Sequence, residues 1–355
     1  MSSNCSTSHL EIPKLSILLA TKDQAATLER CLQGIFSQTF EDYELIILND
    51  GSTDSTPQIL ERFKHFDPRI RLYSHATAQG VIPAYQKLQQ LARGEFIWHA
   101  ASDDFCVDKY FLANGFRLLA ATPQAAGFFC NTLRVMMPTG KAHGIWGTTG
   151  KARYIPPETF LSRFLLGEIV IPGCATVVRR ISFLDQGGFL IGAGPLSDLL
   201  ANAKLGSNFG MIFTGILSMH SLICTAGKNF GTSFDPWQQL RQLAYFEANL
   251  QKGLDHRSLN LNAKWQAFRY LYLGKFFSME HQCRSARSNP VLMASLRALS
   301  DKILAEYVLQ LHQLGIQSTE EMLSNDFLAY AFRNPVRRIF KRLKNRLLQI
   351  LDVSL

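Results

Sequence analysis

The first hundred residues alternate between two hydrophobic periods, and that alternation limits the fold more than any other property of the chain. LSILLA (residues 15–20) is an apolar run too brief for a helix, and apolar residues follow at Leu28, Cys31, Leu32, Ile35 and Phe36. The change from a continuous run to a 3.6-residue spacing marks a buried strand followed by an amphipathic helix. ELIIL (residues 44–48) repeats the signal, with Thr56 and Pro57 as N-cap and first-turn residue of a helix that buries Ile59, Leu60 and Phe63. RIRLYS (69–74) and EFIWHA (95–100) are the next strands, with Ala84, Tyr85, Leu88 and Leu91 on helical spacing between them. Three strand–helix units in succession imply a mainly parallel sheet with helices on both faces.

After residue 120 the pattern changes. AGFFCN (126–131) and CATVVRR (174–180) read as strands, and the segment between them, with Gly140, Gly144, Trp146, Gly147 and Gly150, reads as a loop. Long loops in compact domains are commonly functional. Beyond Asp235 and Pro236 the signals are helical. The expected organisation is a flexible arm over 1–12, an α/β domain over 13–235, a helical region over 236–332 and a basic amphipathic helix over 333–355. A chain of 355 residues with 47% apolar composition buries a core of that size.

The net charge of +9 is concentrated at the end, where residues 333–355 hold seven basic side chains against Asp352. The rest is close to balanced and shows no basic stripe, so no nucleic-acid partner is expected. Seven scattered cysteines without C-x-x-C spacing indicate reduced thiols, with no disulfide framework or zinc site. The first residues lack the apolar core of a secretion signal, and a cytoplasmic location is expected. Residues 205–227 are uncharged but carry Ser207, Asn208, Thr214, Ser218, His220, Ser221 and Thr225, which suits a buried strand plus loop and not a membrane span. Residues 333–355 place Val336, Ile339, Phe340, Leu343, Leu347, Ile350 and Leu351 on one helical face and Arg or Lys on the other. Such a helix either docks on the body or lies peripherally on the anionic inner face of the cell membrane.

Two acidic turns end successive strands. NDGSTD (49–54) is a strong turn signal by itself, its glycine supplying a positive φ and its polar side chains bonding the local backbone. A fixed acceptor there, Asp50, would also receive the ring N–H of a uracil or thymine, or the donors of a guanine. ASDD (101–104) could cap a helix running from 105 to 119, where negative charge is favoured. One Asp would satisfy a cap, and a second adjacent acid suits a hard cation such as Mg²⁺ or Mn²⁺ with phosphate oxygens in its shell. Ligands of open α/β sheets bind outside such strand ends.

Across residues 13–231 these motifs resemble the family 2 glycosyltransferases of GT-A fold, in the segments LSILLATKD, SQTFEDYELIILNDGSTDST and HATAQGVIPAYQKLQQLARGEFIWHAASDD. The resemblance implies an α/β, Rossmann-like mixed sheet and transfer of a sugar, with inversion, from a nucleoside-diphosphate sugar to a glycan, lipid-linked or protein acceptor. It implies that Ala20, Thr21, Asp23, Asp50, Gly80 and Asp103 surround the nucleotide sugar. It assigns the metal, Mg²⁺ or Mn²⁺, to Asp104 with Asp103 as ribose or outer partner. Many members read Asp-x-Asp-Asp where this chain has Ala101-Ser102-Asp103-Asp104, and others carry a bare Thr-Asp-Asp. In GGFLIGAGPLSD the resemblance makes Asp198 the general base, with Ser197 where a Glu is usual; read from the residues alone, Asp198 is equally an N-cap for a helix starting at Leu199. Asp185 is the other acid of that loop. His99 reads as a packed or solvent-facing strand residue, His220 as structural, and QQLRQ (238–242) as a coincidental match to a processive-synthase element. A second reading is a non-catalytic sugar-nucleotide-binding or scaffold protein, supported by the missing first acid and by Ser197. A third, a membrane-recruited adaptor, rests on residues 333–355 alone.

Overall fold

The computed structural model describes residues 12–137, 139–165 and 168–224, together with 242, 245–246 and 248–250, which are helical. The expected arm over 1–12, the helical region over 236–332, the helix over 333–355 and the QQLRQ match lie outside the described residues apart from these positions. The chain divides into two units, one of residues 1–157 and 170–233, the other of residues 158–169 and 234–355.

The first unit begins with the alternation that the sequence dictates: β1 (Leu15–Thr21), α1 (Leu28–Phe36), β2 (Tyr43–Asp50), α2 (Thr56–Phe66), β3 (Ile70–His75), α3 (Val81–Leu91) and β4 (Phe96–Ala101). Every residue of β1 and β2 is buried, as strands covered by helices on both faces must be. On α1, Leu28, Cys31, Leu32 and Ile35 face the core with Ile17, Leu45 and Trp98. Then follow β5 (Asp104–Cys106), α4 (Phe111–Ala120), β6 (Gly127–Met137), β7 (Lys141–Trp146) and β8 (Arg153–Ile155). The remainder of this unit is β9 (Thr176–Arg179), α5 (Arg180–Asp185), α6 (Ser197–Phe209) and β10 (Met211–Cys224), with 3₁₀ turns at Gly173–Ala175 and Ile191–Leu196. The helix Pro157–Leu165, in which Phe160 and Phe164 stack, falls in the second unit from Glu158 onward.

Among the described residues the strands form one mixed sheet in the order β3-β2-β1-β4-β9-β6-β10-β5, with β7 on β6 and β8 on β10. β1 pairs in parallel with both β2 and β4, whereas β9 is antiparallel to both β4 and β6. The chain therefore winds outward from β1 in two directions, and the carboxyl ends of β1, β2 and β4 open a crevice at that reversal.

Two expectations are corrected. No helix starts at residue 105: Asp104–Cys106 is a strand, because Phe105 and Cys106 pair with His220 and Met219 of β10, and the helix begins at Phe111. The glycine-rich segment after 139 is not all loop, since Lys141–Trp146 forms a hairpin with the extended end of β6.

At the sheet edge opposite the crevice, Glu44 locks β1, β2 and the α3–β4 turn together. Its Oε1 accepts from Ser16 Oγ (2.6 Å) and Arg93 N (2.9 Å), and its Oε2 from Arg71 Nη1 (2.7 Å) and Arg93 Nη2 (2.9 Å). Burial alone would raise this carboxyl, but the donors outweigh it and hold it below its ordinary range. Removing the anion leaves two guanidinium groups and a buried hydroxyl without their partner. Glu44→Ala is expected to destabilise the protein by about 3 kcal/mol in urea unfolding; a loss below about 1 kcal/mol would show that the lock adds little.

Candidate active site

The crevice is a cleft of about 630 Å³, within the range of small-molecule sites. Ala20 and Thr21 line it from the end of β1, Asp50 from β2, Gly80 from the start of α3, Ala101 from the end of β4, Ser102 and Asp103 from the turn that follows, and Asp198 from α6. Thr21 is buried and its Oγ1 has no hydrogen-bond partner, an open polar position in the wall. Lys22 is the one Lys or Arg among the lining residues. Asp23 is not among them: at φ 50° its carboxylate accepts from Thr53 N (2.7 Å), and its own N–H donates to Ser52 Oγ (3.0 Å), clipping the β1 loop to the turn after β2.

Asp50 is the best-anchored acid of the cleft. Its Oδ1 accepts from His75 Nδ1 (2.8 Å) and Gln79 N (2.9 Å), and its Oδ2 from Gly80 N (2.8 Å). Burial pushes its pKa up, yet these bonds prevail and hold it below the ordinary carboxylate range.

The turn between β4 and β5 carries the adjacent acids, and they face different surroundings. Asp103 lines the cleft. Asp104 does not; its Oδ1 accepts from Leu222 N (3.1 Å), and Ser221 and the Cys174 thiol also bond its carboxyl. The resemblance gives direct metal contact to Asp104, whereas the side chain presented to the cleft is that of Asp103. Burial raises both carboxyls, and the charge of Asp103 raises Asp104 further. No protein cation forms a salt bridge with either among the described residues. Two crowded anions without a cation suit Mg²⁺ or Mn²⁺, which bind through one or two carboxylates plus substrate phosphates. No group of three or more His, Cys, Asp or Glu side chains forms a metal cage among the described residues.

Asp198 lies in the first turn of α6, with Leu196 as the N-cap, and its Oδ1 accepts from Leu199 N (2.7 Å). Its carboxylate packs against the α-carbon of Gly173, where any side chain would collide with Oδ2. Ser197, which also lines the cleft, braces the preceding turn by donating to Leu190 O (2.6 Å). Asp185 ends α5 exposed and outside the cleft, and His220 meets Phe105 across the β5–β10 pair. His99 does line the cleft, buried against Tyr85, Phe183 and Phe189, and burial pushes its pKa down to about 3, so the ring is neutral. Lys22 and the aromatic wall escaped the sequence reading, because a strand-end position does not disclose which way its side chain turns.

Burial, only partly offset by the Leu199 N–H, raises Asp198 to about 6. The unfolded carboxyl titrates near 3.9. Well below pH ~4 both states are protonated and Asp198 costs nothing; above about 6 both are ionised and the folded state bears the full penalty, about 3 kcal/mol. Asp198→Asn should therefore be more stable than the parent at pH 7.5, with the difference vanishing toward pH 4 in urea unfolding. A variant less stable at both pH values would contradict this environment.

Residues 16–185 match the model of Glycosyl transferase family 2. Bacillus subtilis EpsH is 36% identical over 101 residues, 28% of this chain and 29% of that protein. A chondroitin synthase of Pasteurella multocida is 33% identical over 99 residues, again 28% of this chain and 10% of that protein. The matches thus span under a third of either relative. Among solved structures, S. aureus TarS 1-349 in complex with UDP superposes with a TM-score of 0.59 at 16% identity, over 95% of this chain and 91% of that one. The mannosyltransferase PcManGT of Pyrobaculum calidifontis, in complex with GDP-Man and Mn²⁺, gives 0.51 at 16% identity, over 90% and 84%. Among the described residues no helix is long and apolar enough to cross a membrane. The strand order, the crevice at the reversal and the solved neighbours lead to one conclusion: the fold is GT-A, and residues 16–185 carry the match to glycosyl transferase family 2.

Proposed function

We propose that this protein is an inverting glycosyltransferase that moves a sugar from a nucleoside-diphosphate sugar to an acceptor hydroxyl, with Asp198 as the general base. The observation that carries the reading is Asp198 itself, a carboxylate raised to about 6 by burial and facing the same cleft as Asp50 and Asp103. A base titrating near the working pH is both ionised and a competent proton acceptor. The solved neighbours add support, since TarS 1-349 is in complex with UDP-GlcNAc and with UDP, and PcManGT with GDP-Man and Mn²⁺.

In this reading the base rests against Asp50 and the diphosphate lies toward Lys22 and Asp103. The acceptor hydroxyl gives its proton to the Asp198 carboxylate while its oxygen bonds the anomeric carbon. The bond from that carbon to the diphosphate oxygen breaks on the opposite face, and its electron pair leaves with the nucleoside diphosphate. Asp103, backed by Asp104, would hold Mg²⁺ or Mn²⁺, which when bound offsets charge on the departing diphosphate. Asp23 keeps its place in the proposal as the clip that shapes the β1 loop around the nucleotide. The basic residues 333–355 support peripheral contact with an anionic membrane, where each cation near the surface contributes about 1 kcal/mol.

The direct test offers UDP-, dTDP- and GDP-sugars with Mn²⁺ to the full chain, with and without acceptors, and follows release of the nucleoside diphosphate. Asp198→Asn should retain donor affinity within a few-fold and lose about 10²- to 10⁴-fold in kcat. The parent kcat should fall below pH ~6, as the base protonates. Normal kcat in the variant would return Asp198 to a purely structural role. Asp103→Asn is expected to lose Mn²⁺-dependent nucleotide binding in calorimetry, and binding unaffected by chelator and by this change would remove the metal from the account. Tight nucleotide binding without transfer from any donor would favour the non-catalytic reading.

A further inference from the structure

We infer that His75 sets the base specificity of the cleft: by occupying Asp50 it restricts the nucleotide to a base with one ring N–H on its pairing edge, uracil or thymine, at the expense of guanine. The inference rests on the nucleotide-sugar reading and narrows the donor within it.

A carboxylate offers about four acceptor positions. On Asp50, Oδ1 is filled by His75 Nδ1 at 2.8 Å and Gln79 N at 2.9 Å, and Oδ2 takes Gly80 N at 2.8 Å. One position remains, on Oδ2. The His75 contact fixes the tautomer, because an ionised carboxylate only accepts and Nδ1 must therefore carry the hydrogen. Asp50 cannot rotate to release a second position without breaking all three bonds. The loop that supplies two of the donors is itself pinned: a side chain at Gly51 (φ 68°) would come within 2.7 Å of Ala78 N, so the turn after β2 and the loop before α3 are in contact. The Asp50 side chain is only 5% exposed, and it lines the cleft together with Ala78 and Gly80.

The pairing edges of the bases differ in how many donors they bring to such an acceptor. Uracil and thymine present a single N3–H between two carbonyls, which the open position satisfies. Guanine presents N1–H and N2–H side by side, and against this carboxylate the second would be desolvated without a partner. Cytosine and adenine turn a ring acceptor toward the anion. A site whose polar groups are already committed rejects a ligand that leaves a donor unpaired.

The test is calorimetric titration of the full-length protein with UDP and with GDP, Mn²⁺ present. UDP should bind at least about tenfold more tightly, an unpaired donor costing 1.4 kcal/mol or more. His75→Ala frees a position on Oδ1 for the second donor of guanine and should bring the two affinities within about threefold. His75→Asn, whose amide can donate to the same oxygen, should keep the preference; a loop merely loosened by losing the ring would not be rescued in this way. GDP binding as tightly as UDP to the parent would overturn the inference even if neither variant folds, and so would a UDP preference that His75→Ala leaves unchanged. Failure of both nucleotides to bind would instead overturn the nucleotide-sugar reading, and the inference with it.

Discussion

The site depends on the parallel register of β1 with β2 and β4. Leu15 opposite Tyr43 and Phe96 sets Thr21 opposite Asn49 and Ala20 opposite Ala101, so that the carboxyl ends of all three strands meet at one rim. A slip of one residue would turn each side chain to the opposite face of a sheet buried on both sides. Glu44 holds that register from the far edge, where its bonds to Ser16 and Arg93 tie the strands at their origins. The cleft is thus fixed by interactions at the opposite edge of the sheet.

Within the cleft the acids are driven apart by their surroundings. Asp50 receives three donors and stays ionised, which suits a group that only accepts. Asp198 has one backbone donor and a buried position, and is left ready to take a proton. Asp103 and Asp104 crowd one another without a neutralising side chain, which suits a pair that a cation completes. Environments that separate the pKa values of neighbouring carboxyls separate their roles as well. The ionised Asp198 costs stability at neutral pH, a cost that the proposed role as general base would explain.

Much of this was legible in the sequence, and the remainder depends on contacts distant in the chain. The strand–helix alternation up to β4 follows from local periodicity, and acids at strand ends mark a crevice before any coordinates are known. The short strand Asp104–Cys106 exists only because β10, more than a hundred residues later, pairs with it. The hairpin after 139 likewise forms against the extended end of β6, where glycines at positive φ hide the strand pattern. That Asp103, and not Asp104, faces the cleft follows from the donors Leu222, Ser221 and Cys174, which no motif encodes. The involvement of His75 with Asp50 is equally invisible, since β3 reaches Asp50 only by lying beside β2.

The most direct measurement of the whole account is a crystal structure of the protein with a nucleoside diphosphate and Mn²⁺ bound. The account predicts the base against Asp50, with its ring N–H on Oδ2, and the diphosphate between Lys22 and Asp103 with the metal beside it. The same structure should leave Asp198 free across the cleft, facing the space above the β-phosphate. A nucleotide bound outside this crevice, or one whose base avoids Asp50, would contradict it.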